Sequence, residues 1–459
     1  CCNSRVKKCK YYRRDSIMRI EHLKINHLTN PIGFDLANPT ISYVVTQAKG
    51  KHQMFAQVQI SLNEDFKEII YDSGECKEIV STGYEVPVTL KPMTKYYWKV
   101  RVMDETGDEG WSDIQWFETA KVVSGNDNNW QAKWITPDLA KEVQSAVWQE
   151  VEITRPVVKA RAYMIGLGLY EFYLNGEKQG NECLLPGFCD YDSWLQYQTY
   201  ELQLERGKNQ IELVLADGWY KGWFGLRQFA DNYGDRLAAL AEIHIWYEDG
   251  SKEIVGTDET WKARKSQVVY SGIYPGEIYD TTLDISEIFG TRLLDLGYDR
   301  LTPRLSPQIT VHERIKPIEV IHTPAGETVL DMGQNMTGWL QFHCKAPYGT
   351  KLYFQFGEIL QEGNFYNENY RSAKAELHYI CRDGRQTYHP RLTFYGFRYA
   401  RIDAFPGGVS EAKPEHFRAI AVYSDMKRTG YVSCSSPLLN RLFENIIWGQ
   451  KDNYLDVPT

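Results

Sequence analysis

Four carboxylates in this chain could cleave a glycosidic bond if they stood in the right pairs. Glycosidases need two acids flanking the scissile bond, one to protonate the leaving oxygen and one to attack or to activate water. The candidates are Glu277 with Asp280 in YPGEIYD, and Glu358 with Glu362 in FGEILQEG. Spacing alone brings neither pair together, and a Glu-x-x-Asp at a strand end serves equally well as a turn cap or an arginine partner. A second group suits binding. In DGWYKGWFG, Trp219, Tyr220 and Trp223 are spaced by glycines and could lay flat rings against sugar C–H faces. Asp231, Asn232 and Asp235 follow with oxygens suited to hydroxyl groups or to a calcium ion. The competing reading has the tryptophans plugging a β-sandwich while the glycines permit tight turns.

Other chemistries find little support. GxxxxGK[ST], HExxH, GxSxG and the kinase motifs are absent. GLGLY, from Gly166 to Tyr170, lacks the third glycine of a dinucleotide loop and sits among strands, where close sheet packing explains it. His378 and His389 lie eleven residues apart in a β-like region and read as structural histidines rather than a metal pair.

The elements that must hold these residues are strands. A chain of 459 residues exceeds one hydrophobic core. Aromatics reach 14%, with 31 Tyr and 13 Trp, a composition that suits sheet faces and sugar-binding surfaces alike. Alternation is clear where Tyr97, Lys99 and Arg101 oppose Trp98, Val100 and Val102. That pattern over 20–122 predicts an immunoglobulin-like sandwich of the fibronectin III kind. VVSGNDNN, from Val122 to Asn129, is a polar linker. A second sandwich of the jelly-roll kind is predicted over 130–305, where Asn175-Gly176 and Asp249-Gly250 mark hairpins. A third β unit follows over 308–425, with an Asp-Gly turn in CRDGRQTY. The period then changes. In SSPLLNRLFENIIWGQKDN, Leu438, Leu439, Leu442, Phe443, Ile446 and Ile447 recur at helical spacing, with Ser435 or Ser436 as N-cap and Pro437 in the first turn. The apolar stripe of this helix, in 430–459, needs a partner that the sandwiches, each with its own core, do not offer.

Net charge is −8 with mixed signs, so no basic stripe recommends nucleic acid. No run of eighteen apolar residues marks a membrane span. Nine cysteines form no CxxC pair, which fits free thiols in a reducing, cytoplasmic setting, with a Cys183 to Cys189 bridge as the open alternative. Residues 1–19 are basic without an apolar segment and are expected to be a disordered or artefactual leader, a lipidated Cys1 being the alternative.

The domain order, together with WQAKWI, YEFYLNG, LLPGFCDYDSWLQYQTYEL, ADGWYKGWFG, LDMGQNMTGW, FGEILQEGNFYNENYRSA, LTFYGFRYARI and NIIWGQKDNYLDVPT, resembles the bacterial α-L-rhamnosidases of the inverting six-hairpin class. The resemblance runs over most of Leu23 to Thr459. It implies a mainly β chain in which three consecutive sandwiches, fibronectin III-like, jelly-roll and concanavalin-like, lead into the first helix of an (α/α)6 barrel. It further implies that the acid and base lie in sequence following Thr459, so that no catalytic residue falls in this chain and the isolated chain is inactive. In such relatives the second domain sometimes binds rhamnose through calcium. The expected site residues are therefore Trp219, Tyr220 and Trp223 for carbohydrate and Asp231 and Asn232 for metal, with Ca2+ admitted and no cofactor required. The expected partner is a rhamnosylated glycoside or oligosaccharide; the oligomeric state is left open. Two alternatives stand beside this reading, a non-catalytic carbohydrate-binding protein and a six-hairpin glycosidase for another sugar.

Overall fold

Alternating side chains dictate the first unit. In the computed structural model, which describes residues 18–123, 129–226 and 228–458, the chain divides into Cys1–Asp127 and Asn128–Thr459. The expected leader, up to residue 17, and most of the polar linker lie outside the described residues. In the first unit, β1 (Arg19–Ile25) pairs with β2 (Thr40–Thr46), while β3 (Gln53–Ser61) pairs antiparallel with β4 (Lys95–Asp104), which also pairs with β5 (Gln115–Thr119). Along β4 every second residue is buried. Tyr96, Trp98, Val100 and Val102 meet Ile41, Val58 and Phe117 in one core, whereas the Lys99 ammonium lies 4.6 Å from the Trp111 ring on the outer face. Period-two burial on a half-covered sheet is what the alternation predicts.

Two large sheets dominate the second unit among the described residues. In the first, β6 (Ser145–Ile153) pairs with β10 (Gly207–Ala216), which also pairs with β8 (Leu169–Leu174); β7 (Val157–Leu167) pairs with β9 (Leu195–Glu201) and with β11 (Ala238–Tyr247). Val147, Phe172, Leu213 and Ile243 close one core between these strands. One turn of helix, α1 (Gly218–Lys221), follows β10.

The hairpin β12 (Val268–Gly272) and β13 (Gly276–Asp280) lies within the 130–305 segment but joins the next sheet. That sheet contains β14 (Ile309–Ile315), β15 (Thr328–Ala346), β16 (Lys351–Gly357), β17 (Glu376–Ile380), β18 (Tyr395–Ala404) and β19 (Phe417–Ser424). β13 runs parallel to β17, with Gly276 opposite Glu376 and Asp280 opposite Ile380. Gly276 has φ +99°, and a Cβ there would stand 1.9 Å from the Glu376 carbonyl oxygen, so only glycine lets the two backbones approach. Hydrogen bonding therefore crosses a boundary that a reading by consecutive segments draws near 305. A parallel partner far along the chain leaves no turn signal between the two strands.

The last element is α2 (Pro437–Asn453), capped by the Ser436 hydroxyl, which accepts the Leu439 N–H at 3.5 Å. One side of α2 meets the sheet. The Lys451 ammonium pairs with Glu313 at 2.6 Å, and Trp448 packs against the third core. On the other side Leu438 is 83% exposed, and Leu439, Leu442 and Ile446 are more than half exposed. Among the described residues no helix is long and apolar enough to cross a membrane.

Candidate functional site

A kink in β15 builds the most distinctive polar cluster. The register against β18 slips between Asp331 and Met336, and Gly333 has φ +73°. Arg398 on β18 clamps Asp331 through two hydrogen bonds of 2.8 Å, and the Gly333 N–H donates to the same carboxylate at 2.6 Å. Beyond the clamp, the Asn335 amide donates to Glu358 at 3.3 Å, and Asn369 donates to the other Glu358 oxygen at 3.0 Å. The Asn335 side-chain oxygen is buried without a hydrogen-bond partner among the described residues. The end of α2 closes the cluster. Thr337 donates its N–H to the Asp452 carboxylate at 3.2 Å and its hydroxyl to the Asp452 carbonyl at 3.0 Å. Burial raises Asp452 to about 7, and the neighbouring Glu358 and Glu313 charges add to the rise. Such a group shares a proton with solvent near neutrality and can accept or donate a hydrogen bond to a hydroxyl.

The two carboxylate pairs separate. Glu277 and Asp280 lie three residues apart on β13, and an odd offset on a strand sends side chains to opposite faces. Glu277 is buried and accepts hydrogen bonds from Tyr388 and, at 3.3 Å, from Ser271. Burial raises it to about 7 against the pull of Tyr388 and Arg391. Asp280 instead caps a turn, accepting the Thr282 N–H at 2.8 Å and its hydroxyl at 2.6 Å. Glu362 is exposed in the turn between Ile359–Gln361 and Asn364–Tyr366, with φ +52°, whereas Glu358 is engaged by the two asparagines. Neither pair flanks a common space. The histidines are structural: His378 stacks on Tyr353 at 4.1 Å, and His389 is stacked on Trp339 with its ring nitrogen 2.7 Å from the Pro390 carbonyl.

Trp219 and Tyr220, expected to meet carbohydrate, both turn inward and are buried. Trp219 packs between Phe188 and Phe394 with centroids 5.9 and 6.0 Å away, and Tyr220 packs on Tyr191 at 5.3 Å. The reason is the single turn of α1, which drives two consecutive side chains inward and is held by a buried Asp217 to Lys221 ion pair of 3.1 Å. Trp223 lies past the turn. It is half-buried, meets Tyr274 edge-on at 6.1 Å and borders an open cleft. Asp231 lies 3.9 Å from the Lys141 ammonium, and the Asn232 amide donates to the Phe229 carbonyl at 3.1 Å. Among the described residues no three His, Cys, Asp or Glu side chains gather to hold a metal. Cys183 and Cys189 carry free thiols, which burial pushes up to about 11 and about 12.

Two acids escaped the sequence reading. Asp452 sits in the last turn of a helix, where the dipole disfavours negative charge, and that wrong-signed position was the available signal. Asp456 follows α2 and reaches the loop that carries Gly187 and Phe188, ahead of β9. Its carboxylate accepts the Phe188 N–H at 2.5 Å, its N–H donates to the Ser424 hydroxyl at 3.0 Å, and burial raises its pKa. Gly187 makes room for it, since a Cβ there would stand 2.4 Å from the Asp456 oxygen.

The architecture is that of a multidomain, mainly β chain whose successive sheets lead into a capped helix. Four family models match in chain order: the Rha78A-like N-terminal immunoglobulin domain over 20–123, the α-L-rhamnosidase N-terminal domain over 155–320, the bacterial α-L-rhamnosidase concanavalin-like domain over 321–423 and the six-hairpin glycosidase domain over 427–459. An α-L-rhamnosidase of Formosa agariphila is 28% identical over 96% of this chain and 51% of its own length. Among solved structures, the α-L-rhamnosidase of Dictyoglumus thermophilum is 30% identical with a TM-score of 0.85, covering 97% of this chain and 53% of that one. The enzyme of Aspergillus terreus is 28% identical with a TM-score of 0.87, covering 96% and 53%. The chain is similar to α-L-rhamnosidases over nearly all of its length and spans about half the length of the relatives it matches.

Proposed function

We propose that this chain is the non-catalytic N-terminal half of an enzyme that hydrolyses terminal α-L-rhamnose from glycosides. The observation that carries the reading is the run of four α-L-rhamnosidase domain matches in order. In this reading one carboxylic acid protonates the leaving oxygen while a second carboxylate activates water on the opposite face, the two standing about 6.5–9.5 Å apart. Both acids come from residues outside this chain in this reading, which the separation of the Glu277/Asp280 and Glu358/Glu362 pairs supports. The bare stripe of Leu438, Leu442 and Ile446 supports packing of α2 into a helical barrel, and Asp452 and Asp456 fasten that helix to both sheets. The free thiols support a cytoplasmic setting.

The test compares this chain with the same chain extended through a six-hairpin domain, on a panel of nitrophenyl glycosides. Nitrophenol release from the α-L-rhamnoside by the extended protein alone supports the reading. Release by residues 1–459 alone, or preference of the extended protein for another sugar, overturns it.

A further inference from the structure

The loop carrying Trp223 and the hairpin β12–β13 enclose a second place where a ligand fits. A cleft of about 360 Å3 is bordered by Trp223, Tyr270, Ile278, Lys374, Glu376 and His378. That volume lies in the small-ligand range of about 300–1,000 Å3. Its walls come from separate parts of the chain. Trp223 follows α1, Tyr270 and Ile278 belong to the hairpin, and Glu376 and His378 project from β17 on the face opposite the buried Leu377 and Tyr379.

These walls are held in place by contacts that leave polar capacity toward the cleft. The Trp223 ring meets Tyr274 edge-on with centroids 6.1 Å apart, which limits its rotation. The Ser372 hydroxyl donates to the Gly225 carbonyl at 2.8 Å, and the Lys374 N–H donates to the Tyr274 carbonyl at 3.0 Å, so the aromatic loop is tied to the segment before β17. One Glu376 oxygen accepts from Tyr353 at 3.0 Å and from Gln355 at 3.5 Å, while the other lies 3.4 Å from the His378 ring nitrogen and keeps further acceptor capacity. The Lys374 ammonium forms no ion pair among the described residues. One wall is an aromatic ring. The opposite one offers a carboxylate acceptor, an ammonium donor and an imidazole whose charges offset one another. That combination rejects strongly charged ligands and suits a neutral polyol, whose C–H face meets the ring while adjacent hydroxyls donate to the carboxylate.

We propose that this cleft binds a neutral saccharide, with Trp223 as the stacking wall and Glu376 as the hydroxyl acceptor. The proposal rests on the glycosidase reading only for the choice of sugars to try. Calorimetric titration of the 459-residue chain with L-rhamnose, methyl α-L-rhamnoside, D-glucose and D-galactose tests it. Saturable binding of at least one sugar is expected with Kd of millimolar order, unchanged by EDTA and weakened roughly tenfold by Glu376→Gln or Trp223→Ala. If Trp223→Ala fails to fold, Glu376→Gln decides, because that side chain is partly exposed and its replacement keeps the shape. Absence of saturable binding, binding unaltered in Glu376→Gln, or binding abolished by EDTA each overturns the proposal. Binding of glucose or galactose but not rhamnose supports the cleft while leaving the hydrolysis assay to decide the rhamnosidase reading.

Discussion

Two apolar surfaces of the second unit have similar composition and opposite fates. Around α1, Trp219 and Tyr220 are each only 8% exposed, whereas along α2 no residue is buried and Leu438 is 83% exposed. Both segments are rich in large apolar side chains. The difference lies in what the rest of the chain brings against them. Phe188, Tyr191 and Phe394 arrive from distant segments to cover the α1 rings, while the sheet meets α2 through Trp448, Lys451 and Asp452 near its end. Burial is thus a property of the partner, and composition records only the demand for one.

The largest effect should come from removing a covered ring. Trp219→Ala empties a site closed by two aromatic neighbours, and such truncations cost about 3–5 kcal/mol. We expect a clear drop in the melting temperature of the second unit, read by tryptophan fluorescence. A change as small as that of a surface substitution would show that the ring is not part of the core and would undo the contrast with α2.

Glu277 gives the next largest effect, through pH. The folded carboxyl, buried beside Tyr388 and near Arg391 and Glu171, keeps its proton up to about 7 against an ordinary value of 4.5. Between those values the folded state binds more protons than the unfolded chain, so stability is greatest below 4.5 and falls as pH rises toward 7. The expected fall is about 2–3 kcal/mol. Glu277→Gln, which cannot ionise, should flatten this part of a plot of melting temperature against pH; an unchanged slope would assign the burden to another group.

Much of this architecture was legible in advance. The alternation along Lys95–Asp104 and the helical period of Pro437–Asn453, with its serine cap, are local signals that tertiary packing did not override. The parallel alignment of Gly276–Asp280 with Glu376–Ile380 was not legible, because its partners are a hundred residues apart and no local pattern names them. The aromatic loop was half legible. Glycine spacing marked the turn, but which rings point inward depends on the single helical turn and on phenylalanines elsewhere. Asp452 and Asn335 were invisible for a related reason, since a buried acid and an unpartnered carbonyl acquire meaning only from the neighbours that bury them.

Asp456 probes the seam between the two kinds of surface. Asp456→Ala removes the acceptor of the Phe188 N–H in a largely buried site, a loss of about 1–2 kcal/mol. The amide of Phe188 should lose hydrogen-exchange protection ahead of the strand centres, because the loop Leu184–Phe188 would lose its tie to the segment after α2. Protection that falls uniformly over the whole unit would mean that Asp456 supports the global core rather than this seam.

The smallest effect on stability, and the sharpest on the comparison, belongs to α2. Replacing Leu438 and Leu442 together by serine removes apolar area that water already reaches, so little burial is lost on folding and the change in stability should stay within about 0.5 kcal/mol per site. Serine is a slightly poorer helix former than leucine, which accounts for the small loss that remains. Binding of a hydrophobic dye should fall, and any concentration-dependent self-association of the 459-residue chain should weaken, because contiguous exposed apolar patches drive both. If the double substitution instead lowered the melting temperature as far as Trp219→Ala does, the stripe would be a covered surface in solution, and the contrast between the two segments would collapse.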